Sequence, residues 1–329
     1  MKKIFRNLML FGVATAMFAA CGDEPEVTKK DTSEKQKEQK QNPQGNVTIE
    51  NGAIKAAFSV GDGKKVYFSQ GNLQYQASTN TWRFAENQWD FIGTHSSEFE
   101  EENGGTIKGS DNANISETYD GWIDLFGWGT SGWKSGAFAY QPYSTSRDYS
   151  DYYPGACSTF DLTGICADAD WGVYNKISNG GNKAGMWRTL TNKEWQYLLR
   201  DYLYSLGCVD GINGLILLPD DWELPDGISF TPQADEWKSN DYTIKEWAKM
   251  EVSGAVFIPA SGSRSYTYVE NVGLVTSVGN VGLAGCYWSS SHCGDGFAYG
   301  LLFGNDVVTA YSGDVRYYGQ SVRLVQDVK

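Results

Sequence analysis

The chain has 329 residues, enough for one large domain or two small ones, and 41% hydrophobic with 20% charged residues is a globular composition. The aromatic share is high, with 12 Trp and 20 Tyr. A formal charge of −13 and the absence of a basic stripe argue against a nucleic-acid partner, because phosphate backbones repel so acidic a chain. Two histidines and no Cys-x-x-Cys pair argue against a structural zinc site, and no nucleotide fingerprint or Ser–His–acid pattern stands out, so neither cofactor, metal nor catalysis is expected.

Residues 1–20 read as an export signal. Lys2, Lys3 and Arg6 supply the positive end, and residues 8–18 form an apolar core too short to span a bilayer. Phe18-Ala19-Ala20 runs into Cys21, the arrangement of a lipoprotein signal, so Cys21 is the expected lipidation site. Losing Lys2, Lys3 and Arg6, with no acidic residue, would move the charge from −13 to −16. Residues 21–47 then form the lipidated cysteine and a polar tether rich in Lys, Glu and Gln, unable to bury enough apolar surface to fold. Asp23 and Glu24 resemble the acidic signals that send lipoproteins to the outer face of the outer membrane. The expectation is a lipid-anchored, surface-exposed protein.

Residues 48–329 are expected to fold as α+β, with short mixed strands, two main helices and long ordered loops. Residues 56–60 and 65–69 read as strands around the turn Gly61-Asp62-Gly63, and residues 73–75 and 81–84 continue the pattern. From 93 to 185 the chain is rich in Gly, Asn, Asp and Ser. Its Trp122, Trp128, Trp133 and Trp171 are expected to anchor irregular backbone.

Thr191 and Glu194 fit a capping box, and Trp195, Leu198, Leu199 and Tyr202 follow at helical spacing. A second helix is expected over 244–251 and strands over 255–259, 287–289, 298–303 and 321–325. Beyond Cys21 stand Cys157, Cys166, Cys208, Cys286 and Cys293. An odd number cannot all pair within one chain, and 157–166 and 286–293 are each near enough in sequence to close a loop.

Three stretches carry a family resemblance. Residues 187–200, WRTLTNKEWQYLLR, resemble the Arg-Leu-Pro-Thr-x-x-Glu-Trp-x-Tyr motif of the formylglycine-generating-enzyme family. CYWSSS at 286–291 and GQSVRLV at 319–325 resemble the late strands of that fold, a variant of the C-type lectin fold. A narrower likeness is to the variable proteins of diversity-generating retroelements. In those systems template Asn codons are copied with errors at adenines, so the products exclude Lys, Glu, Gln, Met and Trp. Residues 289–319 contain none of those five types.

The likeness implies a variable region over about 286–318 on a fixed frame of Tyr287, Trp288, Ser289, Tyr299, Leu301, Phe303, Arg316 and residues 321–325. The implied ligand-binding positions are His292, Cys293, Asp295, Phe297, Gly300, Leu302, Gly304, Asp306, Val307, Thr309, Tyr311, Asp314, Val315, Tyr317 and Tyr318, with Cys286, Gly294, Ala310 and Gly313 also variable. Strand alternation would turn Tyr299, Leu301 and Phe303 inward, and Gly300, Leu302 and Gly304 outward. The implied function is display of a binding face for a protein or glycan on another cell or a phage.

Three other readings compete. A formylglycine-type oxidase would use Cys286 and Cys293 to bind copper, although their spacing departs from that family's. Calcium-dependent sugar binding lacks its motifs: Gln141-Pro142 is followed by Tyr143, and Asp220-Asp221 and Asp168/Asp170 read as solvated acidic pairs. Calcium-independent glycan binding or an adhesive lipoprotein without diversification fits the same three stretches.

Overall fold

The computed structural model describes residues 47–93, 112–113, 115–133, 140–200, 203–269 and 273–329. The expected signal, Cys21 and nearly all of the tether lie outside the described residues, as does Tyr202. Val47 already belongs to the fold: its N–H donates to the Val252 carbonyl at 2.7 Å.

Short strands in small sheets dominate and helices are few, an α+β domain biased toward strand. The strands expected near the start form as Phe58–Gly61 and Lys64–Phe68, then Leu73–Gln76 and Thr81–Phe84. Both main helices form where their caps place them. Thr191 and Glu194 cap Asn192–Leu198 reciprocally, and Thr243 and Glu246 do the same for Ile244–Val252. Strand Val256–Pro259 follows as expected.

Two hairpins are additional to those expectations. Tyr204–Val209 and Ile212–Leu217 join through Asp210-Gly211, both at positive φ, the backbone that a two-residue turn between twisted strands requires. Ser263–Val269 pairs with Gly273–Gly279.

The chain's last strand closes the fold. Leu324–Asp327 lies between Lys64–Phe68 and Arg188–Thr189, antiparallel to both. The three stretches that carry the family resemblance therefore meet in one seam. Leu324 and Val325 pair with Thr189 and Arg188, Tyr287 bridges Ser321, and the Ser290 N–H donates to the Leu190 carbonyl at 2.9 Å.

Three large hydrophobic clusters, and a small fourth one around Leu125 and Val278, fill the interior of the described residues. One gathers Phe58, Phe68, Trp195, Leu215, Tyr287, Leu301 and Phe303. A second is built on Trp82, Trp128, Trp171, Trp187 and Trp288, and a third on Trp247, Phe257 and Met250. Trp128 and Trp171 are thus buried anchors of the loop-rich segment. Trp122 and Trp133 are half-buried, with Arg83 stacked 3.8 Å from the Trp122 ring centre.

Asp170 is a correction to the expectation of a solvated pair. It is fully buried, accepting from the N–H groups of Gly172 and Thr189, because the turn before Trp171–Tyr174 needs an N-cap. Asp168 is exposed, and Asp220 is half-buried, paired with Lys65 at 2.7 Å. Among the described residues no disulfide joins Cys157, Cys166, Cys208, Cys286 or Cys293.

Candidate functional site: the terminal sheet and its tyrosine rim

Ala284–His292, Phe297–Gly304 and Val307–Val315 form a three-stranded antiparallel sheet carrying nearly all of the residues expected to vary. One face is fixed by the core. Tyr287 pairs with Leu301, its ring stacks with Phe303 at 5.9 Å, and its hydroxyl donates to the Pro259 carbonyl while accepting from Asn72. Phe303 also meets Trp237 at 6.4 Å. Tyr287, Trp288, Ser289, Leu301, Phe303, Arg316 and residues 321–325 are all buried, whereas Tyr299 is half-buried.

The other face is covered at one end and open at the other. Across it Cys286 pairs with Leu302 and Leu302 with Thr309, while Gly304 pairs with Val307. Cys286, Leu302 and Thr309 are half-buried, Val307 is 38% exposed, and Tyr311, at a bulge in the last strand, is 50% exposed. Asp306 is exposed in the connecting turn with φ 64°, a backbone that favours Asp, Asn or Gly.

Gly300 and Gly304 are not outward positions with room beyond them. Both are buried. A Cβ at Gly300 would lie 2.6 Å from the Tyr287 carbonyl oxygen and 3.1 Å from Gln320 Oε1; at Gly304 it would lie 3.0 Å from the Leu283 carbonyl. Residues 319–325 fold back over this end of the sheet, and Gln320 donates to Asp314 Oδ2 at 2.8 Å. Asp314 is consequently withdrawn from water, and burial pushes its carboxyl up to about 6. Ala310 and Cys293 are likewise buried rather than displayed, with Cys293 Sγ against Gly313.

Beside the sheet lies an aromatic cluster that joins three parts of the chain. Tyr149, from the loop-rich segment, lies 6.3 Å from Phe297 and 5.3 Å from Tyr317. Tyr317 in turn meets Tyr318 at 5.4 Å and Tyr266 at 5.7 Å. Tyr149 is 41% exposed, while Phe297, Tyr317, Tyr318 and Val315 are half-buried. Asp295 is exposed beside Phe297. Burial pushes the Tyr317 hydroxyl up to about 12, so it stays a neutral hydrogen-bonding group.

The loop-rich segment also props the sheet. His292 is held by Asp161, which accepts from its backbone N–H at 2.8 Å and sits 2.7 Å from its Nδ1. Leu162 N–H donates to the Ser290 carbonyl, Trp128 Nε1 to the Ser289 carbonyl, and Tyr266 hydroxyl to the Thr145 carbonyl. Arg316 donates to the carbonyls of Phe297 and Ser158. The sequence did not reveal this role, although its tryptophans marked where anchoring occurs.

Cys286 lies within one strand and Cys293 just past its end. Seven residues of mostly extended chain at ~3.3 Å each would put them roughly 20 Å apart, too far to share a copper ion or a disulfide. Burial pushes the Cys286 thiol up to about 12. Among the described residues no three His, Cys, Asp or Glu side chains gather as a metal site requires. The arrangement instead offers phenols, apolar side chains and carboxylates on a rigid support. Comparison with family models, curated proteins and solved structures gives no match.

Proposed function

We propose that the chain is a surface lipoprotein whose terminal sheet and tyrosine rim bind a protein or glycan on another cell or a phage. The observation that carries this reading is the separation within one sheet. Tyr287, Leu301 and Phe303 lock one side into the core, while Val307, Tyr311 and the Phe297–Tyr317–Tyr318 rim remain accessible to different degrees. Rigid aromatics give large contact area at small entropic cost, and the flanking carboxylates and hydroxyls give orientation. The fold in this reading is the C-type lectin-like fold of the formylglycine-generating-enzyme type, supported by the convergence of residues 187–200, 286–291 and 319–325 in one seam. Diversification by a retroelement is supported by residues 289–319, which lack Lys, Glu, Gln, Met and Trp. Its accessible positions reduce to Asp295, Phe297, Leu302, Asp306, Val307, Thr309, Tyr311, Val315, Tyr317 and Tyr318, with His292 at the margin. The role is binding, not catalysis, and lipid at Cys21 would hold the protein to the outer membrane.

The test is replacement of Tyr311, Tyr317 and Tyr318 by Ala, with the fold followed by near-ultraviolet circular dichroism. Cells and phages captured by the parent protein should no longer be captured. Full capture by a folded triple variant overturns the assignment of this face. Diversification has its own test: a near-copy of the 3′ coding segment, differing only at adenines, beside a reverse transcriptase gene.

A further inference from the structure

A second cleft lies outside the terminal sheet, with a volume of about 530 Å3. Its lining includes Tyr143 and Tyr174 as aromatic surfaces, Asn80, Gln141 and Asn175 as amides, and Glu117 as a carboxylate. None of these belongs to residues 286–318, so the cleft would stay constant while the face varied. Its volume falls within the ~300–1,000 Å3 typical of small-ligand sites.

The chemistry of the lining narrows the ligand. Gln141 Nε2 has almost no accessible surface and finds no acceptor among the described residues, so a turn of this side chain toward the cleft would give it the partner it lacks. A simple ammonium ion would pair with Glu117 but brings no acceptor for Gln141. An anionic ligand would bring one, but the lining holds no Lys, Arg or His, and Glu117 would repel it. A purely apolar ligand would leave the amides unpaired.

The remaining groups are ready to give and take hydrogen bonds in pairs. Asn175 spends its amide nitrogen on the carbonyls of Ser131 and Trp171, leaving its amide oxygen to accept. Tyr75 donates to Asn80 Oδ1 at 3.2 Å, leaving the Asn80 nitrogen to donate. Tyr174 is 41% exposed and Tyr143 half-buried, so their rings can lie against C–H surfaces. A ligand with vicinal hydroxyls on an apolar ring face, and no charge, satisfies all of this together. The geometry points to a fixed binding cleft for a short neutral saccharide, independent of the recognition face proposed above.

The experiment titrates the full chain with maltotriose, cellotriose, mannotriose and chitotriose at millimolar concentration, read by saturation-transfer NMR and calorimetry. At least one probe should bind. Gln141→Leu and Tyr143→Ala should each weaken it roughly tenfold or more, the loss of one buried polar partner or one stacking ring. Glu117→Gln, at an exposed position where folding is not at stake, should weaken it severalfold. Failure of all four trisaccharides to bind overturns the inference, as does binding that none of the three variants alters.

Discussion

Arg316 and Trp128 hold each other by two routes. The guanidinium carbon sits 4.4 Å from the centre of the indole, and the Trp128 backbone N–H donates to the Arg316 carbonyl at 2.8 Å. Arg316 is fully buried, and burial lowers its guanidinium to about 10. Its remaining donors are spent on carbonyls of the sheet and of the loop-rich segment, so it acts as the rivet between the two. Arg316→Met should keep most of the packing volume but take the side-chain donor from the Ser158 carbonyl and leave the Phe297 carbonyl with the Cys293 N–H alone. The expected cost is ~2–4 kcal/mol, read as a fall in the urea midpoint without a change in slope.

The first helix cap is tied to the chain terminus. Glu194 accepts from the Thr191 backbone and also takes both Arg188 terminal nitrogens at 2.8 Å, while Arg188 reaches on to Asp327 at 2.7 Å. Thr191→Ala should cost ~1 kcal/mol, the ordinary loss of a cap. Glu194→Ala should cost roughly 2–3 kcal/mol, because charged hydrogen bonds vanish with it. Denaturant titration of the two variants side by side checks the ordering; equal losses would separate the cap from the terminal strand.

Three carboxyls make stability depend on pH in an unusual direction. Burial raises Asp124 to about 7 and both Asp170 and Asp314 to about 6, from an unfolded value near 3.8. A carboxyl whose folded value is raised binds its proton more readily in the native state, so its contribution is fullest below the unfolded value. That contribution fades as pH rises through the folded value. Unfolding free energy should therefore increase as pH falls from 8 to 5, by on the order of 1–3 kcal/mol from Asp124. Asp124→Asn should flatten that slope, whatever it does to stability at a single pH. Asp220, Glu246 and Asp148, lowered by their hydrogen bonds, oppose the trend at more acidic pH.

Tolerance to substitution should split the terminal sheet into two sets. Libraries at Leu302, Val307, Thr309 and Tyr311 should yield mostly folded protein. Gly300→Ala should cost ~2 kcal/mol or more, because its new methyl meets the Tyr287 carbonyl at 2.6 Å. Surface display scored by protease resistance reads both sets in one experiment. A Gly300 library as tolerant as the Tyr311 library would contradict the buried placement.

The thiols should differ in reactivity. Hydrogen bonds from Thr159 lower Cys157, whereas burial raises Cys286 to about 12. Brief alkylation of the native protein at neutral pH, read by mass spectrometry, should label Cys157 well before Cys286.

What the sequence could reveal followed the range of the interactions involved. The first helix was legible because a capping box is written within four residues, Thr191 with Glu194; the second has a box of the same kind in Thr243 and Glu246, which only the structure brought out. Asp210-Gly211 carried a turn signal of equal strength, yet its flanking strands lack polar–apolar alternation. Residues 205–209 are buried throughout, so period two is erased. On the candidate site, Tyr287, Leu301 and Phe303 were legible as an inward face. Gly300 and Gly304 were not, since what covers them comes from Gln320 and the Leu283 carbonyl, and local alternation carries no record of distant backbone. Likewise Trp128 was legible as an anchor, but its partners at Ser289 and Arg316 lie more than a hundred residues away.

The position of the last strand has a consequence for biogenesis. Because Leu324–Asp327 occupies the interior of its sheet, the Lys64–Phe68 and Arg188–Thr189 edges have nothing to zip against until residues 324–327 have been made. A polypeptide lacking that strand would carry an empty slot and two raw strand edges, a natural substrate for proteolysis.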